Sequence, residues 1–256
     1  MMKKESTPST WPYPRVIAHR LCGSLAPENT MAALKRALAL GVLAVETDAM
    51  LTADGELVLS HDEVLGRVVK GQGKISEFSA QELKQLDAGS LFSDDFAGEH
   101  MALLSEAIDF CKAHRMRMNI EIKPAQGHDA ETGMAVARAV REKFAGYKGV
   151  IPLLSSFSPE ALAAARSEAP ELKRALLLEK RPDDWKSLAE SVGAMAIHPE
   201  AVLATPEFVK EVREAGYQMM VYTVDDHSAA EALLRLGVDA VCTNRPDLFI
   251  GQDGRG

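Results

Sequence analysis

An imidazole and a guanidinium stand side by side at His19-Arg20, where the apolar run "RVIAHR" (15–20) gives way to the small-residue loop "LCGSLAP". Three further apolar runs carry polar groups in the same way. "LAVETDAML" (43–51) holds Glu46 and Asp48, "ELVLSHD" (56–62) ends at His61 and its neighbour, and "MRMNIEIK" (116–123) holds Glu121 and Lys123. Glu46 and Asp48 are two residues apart, as are Glu121 and Lys123, so each pair shares one face of a strand. Three carboxylates on neighbouring strands offer hard oxygen ligands that suit Mg²⁺ or Ca²⁺, not zinc. Arg20 and Lys123 carry fixed charges that fit a phosphate, the first as a fork and the second as a point charge. His19 and His61 form an acid–base pair for work near neutral pH, since an unperturbed imidazole titrates at about 6.5. The seven residues together predict metal-assisted chemistry on a phosphate ester. His198 occupies a similar place in "AIHPE" without a visible partner, and His100, His114, His128 and His227 fall in loop or helix patterns.

Carboxylates on buried strands must pair, bind metal or change protonation, so the elements that carry them matter. Five more strand-like runs follow: "VIPLLSSF" (150–157), "RALLLE" (174–179), "AMAIHPE" (194–200), "QMMVYTV" (218–224) and "AVCTN" (240–244). Between the strands lie amphipathic helix patterns with clear punctuation. One begins after Asn29 as N-cap and stops at Gly41; others open at Ser158-Pro159 and at Thr205-Pro206, the latter ending at Gly216, and another ends at Gly237. With 56–62 set aside as an arm pairing beside its neighbour, eight strands alternate with helices. That pattern in roughly 250 residues predicts an α/β fold of the (β/α)8 TIM-barrel type, with its chemistry at the carboxyl ends of the strands. A doubly wound open sheet is the rival, but no Gly-rich nucleotide loop follows the first strand. The Gly-, Ser- and Asp-rich segment 63–100 breaks the rhythm and is expected to be a small insertion after the second strand region. The predicted organisation is a flexible lead over 1–14 and one barrel domain over 15–250.

Composition narrows the classes. The chain has 256 residues, 46% hydrophobic and 26% charged, in the range of a globular protein with a substantial core. A formal net charge of -8 speaks against a nucleic-acid partner. No run approaches the roughly 18 apolar residues of a membrane span, so stable membrane insertion is not expected. The start of the chain lacks the apolar stretch of a secretory signal. Cys22, Cys111 and Cys242 are scattered and odd in number, which reads as free thiols in the cytoplasm.

Taken together, these motifs resemble the glycerophosphodiester phosphodiesterase family, its bacterial cytosolic members in particular. The signature H-R-G, four residues, A-P-E-N-T stands here as "HRLCGSLAPENT"; E-x-D…T-x-D-G-x-x-V-x-x-H-D stands as "ETDAMLTADGELVLSHD"; and E-x-K-P stands as "IEIKP". "SSFSPEAL", "VYTVDD" and "CTNRPDL" look like later family segments, so the likeness spans about residues 15 to 249. Leu21 replaces a glycine, Tyr222 a usual Trp, Asn244 an Asp and Ala102 a frequent Pro. The resemblance implies hydrolysis of glycerophosphodiesters, such as glycerophosphocholine, to sn-glycerol 3-phosphate and an alcohol. It implies His19 and His61 as catalytic, Arg20 and Lys123 on phosphate, and a metal on Glu46, Asp48 and Glu121. Phe157 and Tyr222 are expected in the substrate pocket. Two alternatives are a lysophospholipase D-like phosphodiesterase and a non-catalytic barrel that binds glycerophosphodiesters. Leu21 is expected to reshape the loop carrying Arg20 or to narrow the pocket.

Overall fold

Nine short strands form one sheet in the computed structural model, which describes residues 11–250. They are β1 (Val16–Ala18), β2 (Ala44–Leu51), β3 (Leu57–Leu59), β4 (Arg117–Ile122), β5 (Leu153–Ser156), β6 (Arg174–Leu178), β7 (Ala196–Pro199), β8 (Gln218–Val221) and β9 (Ala240–Thr243). Their order is β1-β9-β8-β7-β6-β5-β4-β2-β3, and β1 also pairs with β2, which closes eight parallel strands into a barrel. β3 is the exception: it runs antiparallel to β2 outside the ring, as the arm expected at 56–62. The ladders differ in length. β2 and β4 pair from Ala44–Arg117 to Ala49–Ile122, whereas β1 meets β2 at one register pair, Ala18 with Val45.

Eight helices accompany the strands: α1 (Met31–Ala39), α2 (Ala80–Leu83), α3 (Leu104–His114), α4 (Asp129–Lys143), α5 (Pro159–Glu168), α6 (Trp185–Ser191), α7 (Pro206–Glu214) and α8 (His227–Leu236). All but α2 wrap the barrel. Outward strand residues such as Ile120, Leu154, Leu176, Ile197 and Val241 pack with Leu34, Ile108, Val136, Leu162 and Phe208 of the helices in the main core. Parallel strands buried on both faces demand this, because only an apolar helix stripe can cover the outer face. The clearest caps are α5 and α7, where the hydroxyls of Ser158 and Thr205 accept from Ala161 N–H and Phe208 N–H ahead of Pro159 and Pro206. The cap of α1 differs from expectation: Thr30, not Asn29, accepts from Ala33 N–H. α3, α4 and α6 start at Leu103, His128 and Asp184, none of which makes a side-chain cap bond.

Residues 63–100, read from the sequence as an insertion, lie between β3 and α3 beside a second, smaller core. Val58, Leu65, Val69, Ile75, Leu83 and Met101 cluster there against Met50 of β2. Of the flexible lead expected over 1–14, residues 1–10 lie outside the described residues, and residues 11–14 are packed in place. The Tyr13 ring is buried against Leu153, Ala175 and Ala196, at the amino ends of β5 to β7. Its hydroxyl donates to Ile151 O at 2.9 Å, and Trp11 packs edge-on to Tyr13. No helix among the described residues is long and apolar enough to cross a membrane.

Candidate active site

The carboxyl ends of the strands deliver polar side chains to one cavity of about 150 Å³. It is lined by His19, Arg20, Glu46, His61, Asn119, Glu121, Lys123, Phe157 and Tyr222, with Cys242 below. Backbone turns after β1 set the first two. Arg20 and Leu21 adopt left-handed φ of 48° and 77°, and the next turn presses onto β9 through Gly23, at φ 60°. A Cβ on Gly23 would lie 2.2 Å from the Asn244 carbonyl oxygen, so only glycine lets the loop pack there. Leu21, in the position of the family glycine, is fully buried in the main core and does not border the cavity. The pocket is therefore not narrowed by it.

Glu46, Asp48 and Glu121 converge beneath the cavity, each offering an oxygen within 4.8 Å of the others'. All three are buried. Burial and the neighbouring carboxylates hold the Glu46 carboxyl well above its ordinary range and lift Glu121 to about 7, against the pull of Lys123 on the latter. One oxygen of Glu46 accepts from Arg20 N–H at 2.9 Å, while its Oε1 is buried without a hydrogen-bond partner. An orphaned buried carboxylate oxygen facing two more carboxylates fits a hard divalent cation, which would take the place of the missing partner. Lys123 Nζ stands 2.9 Å from Glu121 and 3.9 Å from Asp48. Burial opposes its charge, but the carboxylates prevail and raise its pKa.

Around this centre, polar groups fix orientation. Asn29, which sequence pattern assigns to a helix cap, is buried with a left-handed φ of 57°. Its amide donates to Asp48 Oδ2 at 2.9 Å and accepts from Thr47 Oγ1 at 2.8 Å, so it aims the Asp48 carboxylate. Asn244 Oδ1 lies 2.8 Å from His19 Nδ1. The amide NH₂ of Asn244 donates to Asp225 Oδ2, so its carbonyl faces His19. His19 must then carry its proton on Nδ1, which leaves Nε2 as a free acceptor. Burial first, then the Arg20 charge, lower the His19 pKa despite Asn244. His61 Nδ1 pairs with Asp62 Oδ1 at 2.7 Å, and Arg20 Nη1 donates to both oxygens of Glu28 at 3.0 and 3.1 Å. Phe157 and Tyr222 meet edge-on with ring centres 5.9 Å apart, and Lys123 Nζ lies 5.6 Å from the Phe157 centroid.

The structure thus brings all nine predicted site residues to one place. Asn29, Asn119 and the Asp225–Asn244 pair went unnoticed as site groups in the sequence. For Asn119 the signal was available, since it lies two residues before Glu121 and so on the same inward face.

Residues 19–248 match the model of the glycerophosphoryl diester phosphodiesterase family. The chain belongs to that family. It is 34% identical over 248 residues to a glycerophosphodiester phosphodiesterase of Caldanaerobacter subterraneus subsp. tengcongensis, covering 94% of this chain and 98% of that protein. Among solved structures, a phosphodiesterase of Oleispira antarctica in complex with the product sn-glycerol-3-phosphate superposes with a TM-score of 0.87 at 34% identity, covering 94% and 96% of the two chains. A glycerophosphodiester phosphodiesterase of Agrobacterium tumefaciens superposes with a TM-score of 0.75 at 30% identity, covering 93% and 99%. The chain is accordingly a phosphodiesterase on a TIM barrel, and the carboxylate triad of this family member is compatible with a divalent metal.

Proposed function

We propose that this phosphodiesterase hydrolyses glycerophosphodiesters of small alcohols, glycerophosphocholine and glycerophosphoethanolamine among them, to sn-glycerol 3-phosphate and the free alcohol. Mg²⁺ or Ca²⁺ is the required cofactor. The observation that carries this reading is the convergence of three buried carboxylates, two cations and two imidazoles on one small cavity with an aromatic wall. The Oleispira antarctica relative, described with sn-glycerol-3-phosphate, supports the product. The three buried, unpaired cysteines fit a reducing cytoplasm as the place of action.

Glu46, Asp48 and Glu121 hold the cation. Bound there, it would supply Lewis-acid stabilisation of the phosphoryl charge. Arg20 and Lys123 offset the negative charge that grows on the phosphoryl oxygens in the transition state. The neutral His19, with its Nε2 lone pair free and its pKa held low, accepts the proton of the attacking oxygen, which is water or a glycerol hydroxyl whose cyclic phosphate water then opens. His61, held at Nδ1 by Asp62, donates from Nε2 to the departing alkoxide. Phe157 and Tyr222 pack the glycerol carbons.

Two measurements test this. Glycerol 3-phosphate release from glycerophosphocholine, followed with a coupled dehydrogenase, should vanish in EDTA and return with Mg²⁺ or Ca²⁺; turnover untouched by chelation refutes the cofactor. His19→Ala and His61→Ala should each lower kcat by about 10²–10⁴-fold. With a p-nitrophenyl diester, whose leaving group needs no proton, only His19→Ala should keep its full loss. Equal losses on both substrates would contradict the division of roles.

A further inference from the structure

Arg67 lies in the insertion, outside the seven residues, and its guanidinium has both edges engaged. The Nη edge donates to Glu28 bidentately, Nη1 to Oε2 at 2.9 Å and Nη2 to Oε1 at 2.7 Å. The Nε edge donates to Asp62 Oδ2 in a short contact. Asp62 Oδ1 in turn meets His61 Nδ1, and Glu28 meets Arg20. A continuous chain of charged groups therefore runs Arg20–Glu28–Arg67–Asp62–His61 along the rim of the cavity.

From this geometry we infer that Arg67 is the positioning residue for His61, acting through Asp62. The inference rests on the role proposed above for His61. His61 follows β3, which lies outside the barrel, so the ring is not set by a barrel ladder. Its partner Asp62 is the next residue in the chain and is half-buried, and a carboxylate after a strand end can rotate unless its second oxygen is held. Arg67 holds that oxygen. It can do so because Glu28, itself gripped by Arg20, fixes the other edge of the guanidinium. Burial works to raise the acids of this chain, but the arginines prevail, and both Glu28 and Asp62 are held below the ordinary carboxylate range. Both therefore remain charged acceptors at neutral pH. A lysine at 67 offers one point charge and cannot span the two carboxylates. The insertion is thereby coupled to catalysis by one side chain.

An isolated exposed ion pair is worth little to stability, so the effect is read in turnover. Arg67→Ala is expected to lower kcat by about 10–100-fold, with KM shifted less than about 3-fold. The decisive measurement is a double-mutant cycle with His61→Ala. If Arg67 acts through His61, adding Arg67→Ala to His61→Ala costs no more than about 3-fold further, because the imidazole it orients is gone. Arg67→Lys should not restore kcat, whereas methylguanidinium added to Arg67→Ala should restore part of it. Unchanged thermal midpoints keep the comparison on folded protein, and the lysine variant serves if the alanine variant unfolds. Losses that multiply in full, or parental kcat in Arg67→Ala, overturn the inference while leaving His61 in the mechanism. Parental kcat in His61→Ala instead removes the histidine, and the inference falls with it.

Discussion

Leu21 carries a left-handed backbone, which costs an L-residue about 1–2 kcal/mol, and it is completely buried. Glycine at 21 would relieve the backbone but leave a cavity, and leucine truncations in cores cost about 2–5 kcal/mol. The second effect wins. Leu21→Gly is expected to destabilise the protein by about 1–3 kcal/mol in urea unfolding while leaving kcat/KM within about 3-fold, since the side chain does not border the pocket. The departure at Asn244 has a different outcome. A neutral amide fixes the His19 tautomer and favours the imidazolium only through one hydrogen bond, whereas Asn244→Asp would place a full negative charge against Nδ1. Opposite charge stabilises the protonated form, so the His19 pKa should rise by about a unit or more in an NMR titration. An unchanged or lower value would exclude direct contact between the two side chains. These two substitutions look alike as deviations from a motif, yet one belongs to the core and the other to the site.

At the scale of elements, the strands were the most legible. Their β-branched and apolar runs end in charged residues at the barrel mouth, and the TP and SP pairs announce α7 and α5 through real caps. Boundaries were less legible, because the flanks of "VIPLLSSF" or "QMMVYTV" are apolar whether or not a ladder partner exists, and the observed strands are shorter. The N-cap residues of α3, α4 and α6 make no side-chain cap bond, and at α3 only Glu106 reaches back to Leu103 N–H, so the local signal for their starts was weak. Asn29 is a good cap by type, but tertiary demand overrode it: the buried Asp48 needed its amide more than the helix did. The segment before β1 shows the same limit from the other side. The Ser, Thr and Pro of the first residues read as a flexible lead, and only the barrel's open amino end makes Tyr13 a plug. Tyr13→Phe should cost about 1 kcal/mol for the lost bond to Ile151, and Tyr13→Ala about 3–5 kcal/mol, measured by denaturant unfolding. Equal midpoints for Tyr13→Ala and the parent would show that the plug is dispensable.

For the molecule as a whole, two buried features couple folding to conditions. His198 is fully buried, with neither ring nitrogen hydrogen-bonded, and burial depresses its pKa to about 3. Between about 3 and the ordinary 6.5 the unfolded chain takes up a proton that the folded chain refuses, so stability is full above 6.5 and is lost as pH falls through that window. The thermal midpoint should therefore decline more steeply below pH 6.5 in the parent than in His198→Met; parallel curves would rule the histidine out as the cause. The carboxylate triad acts in the other direction, since a cation bound only by the folded state adds about 2.7 kcal/mol at a hundred times its dissociation constant. Mg²⁺ or Ca²⁺ should raise the midpoint of the parent and not of Glu46→Gln/Glu121→Gln. The place where this occurs has a further meaning. β1 and β2 join through one register pair, and polar contacts reinforce it: Arg20 N–H on Glu46, and Asn29, next to the β1 loop, on Asp48. The cylinder is stitched most thinly at the line where its working groups sit. A ligand gripped by Arg20 on one side of that line and by the acids on the other acts as a suture, so amide protons of β1 should exchange with deuterium more slowly when the mouth is filled. Occupancy and closure of the wall are then one event, and the barrel is most completely a barrel when it is at work.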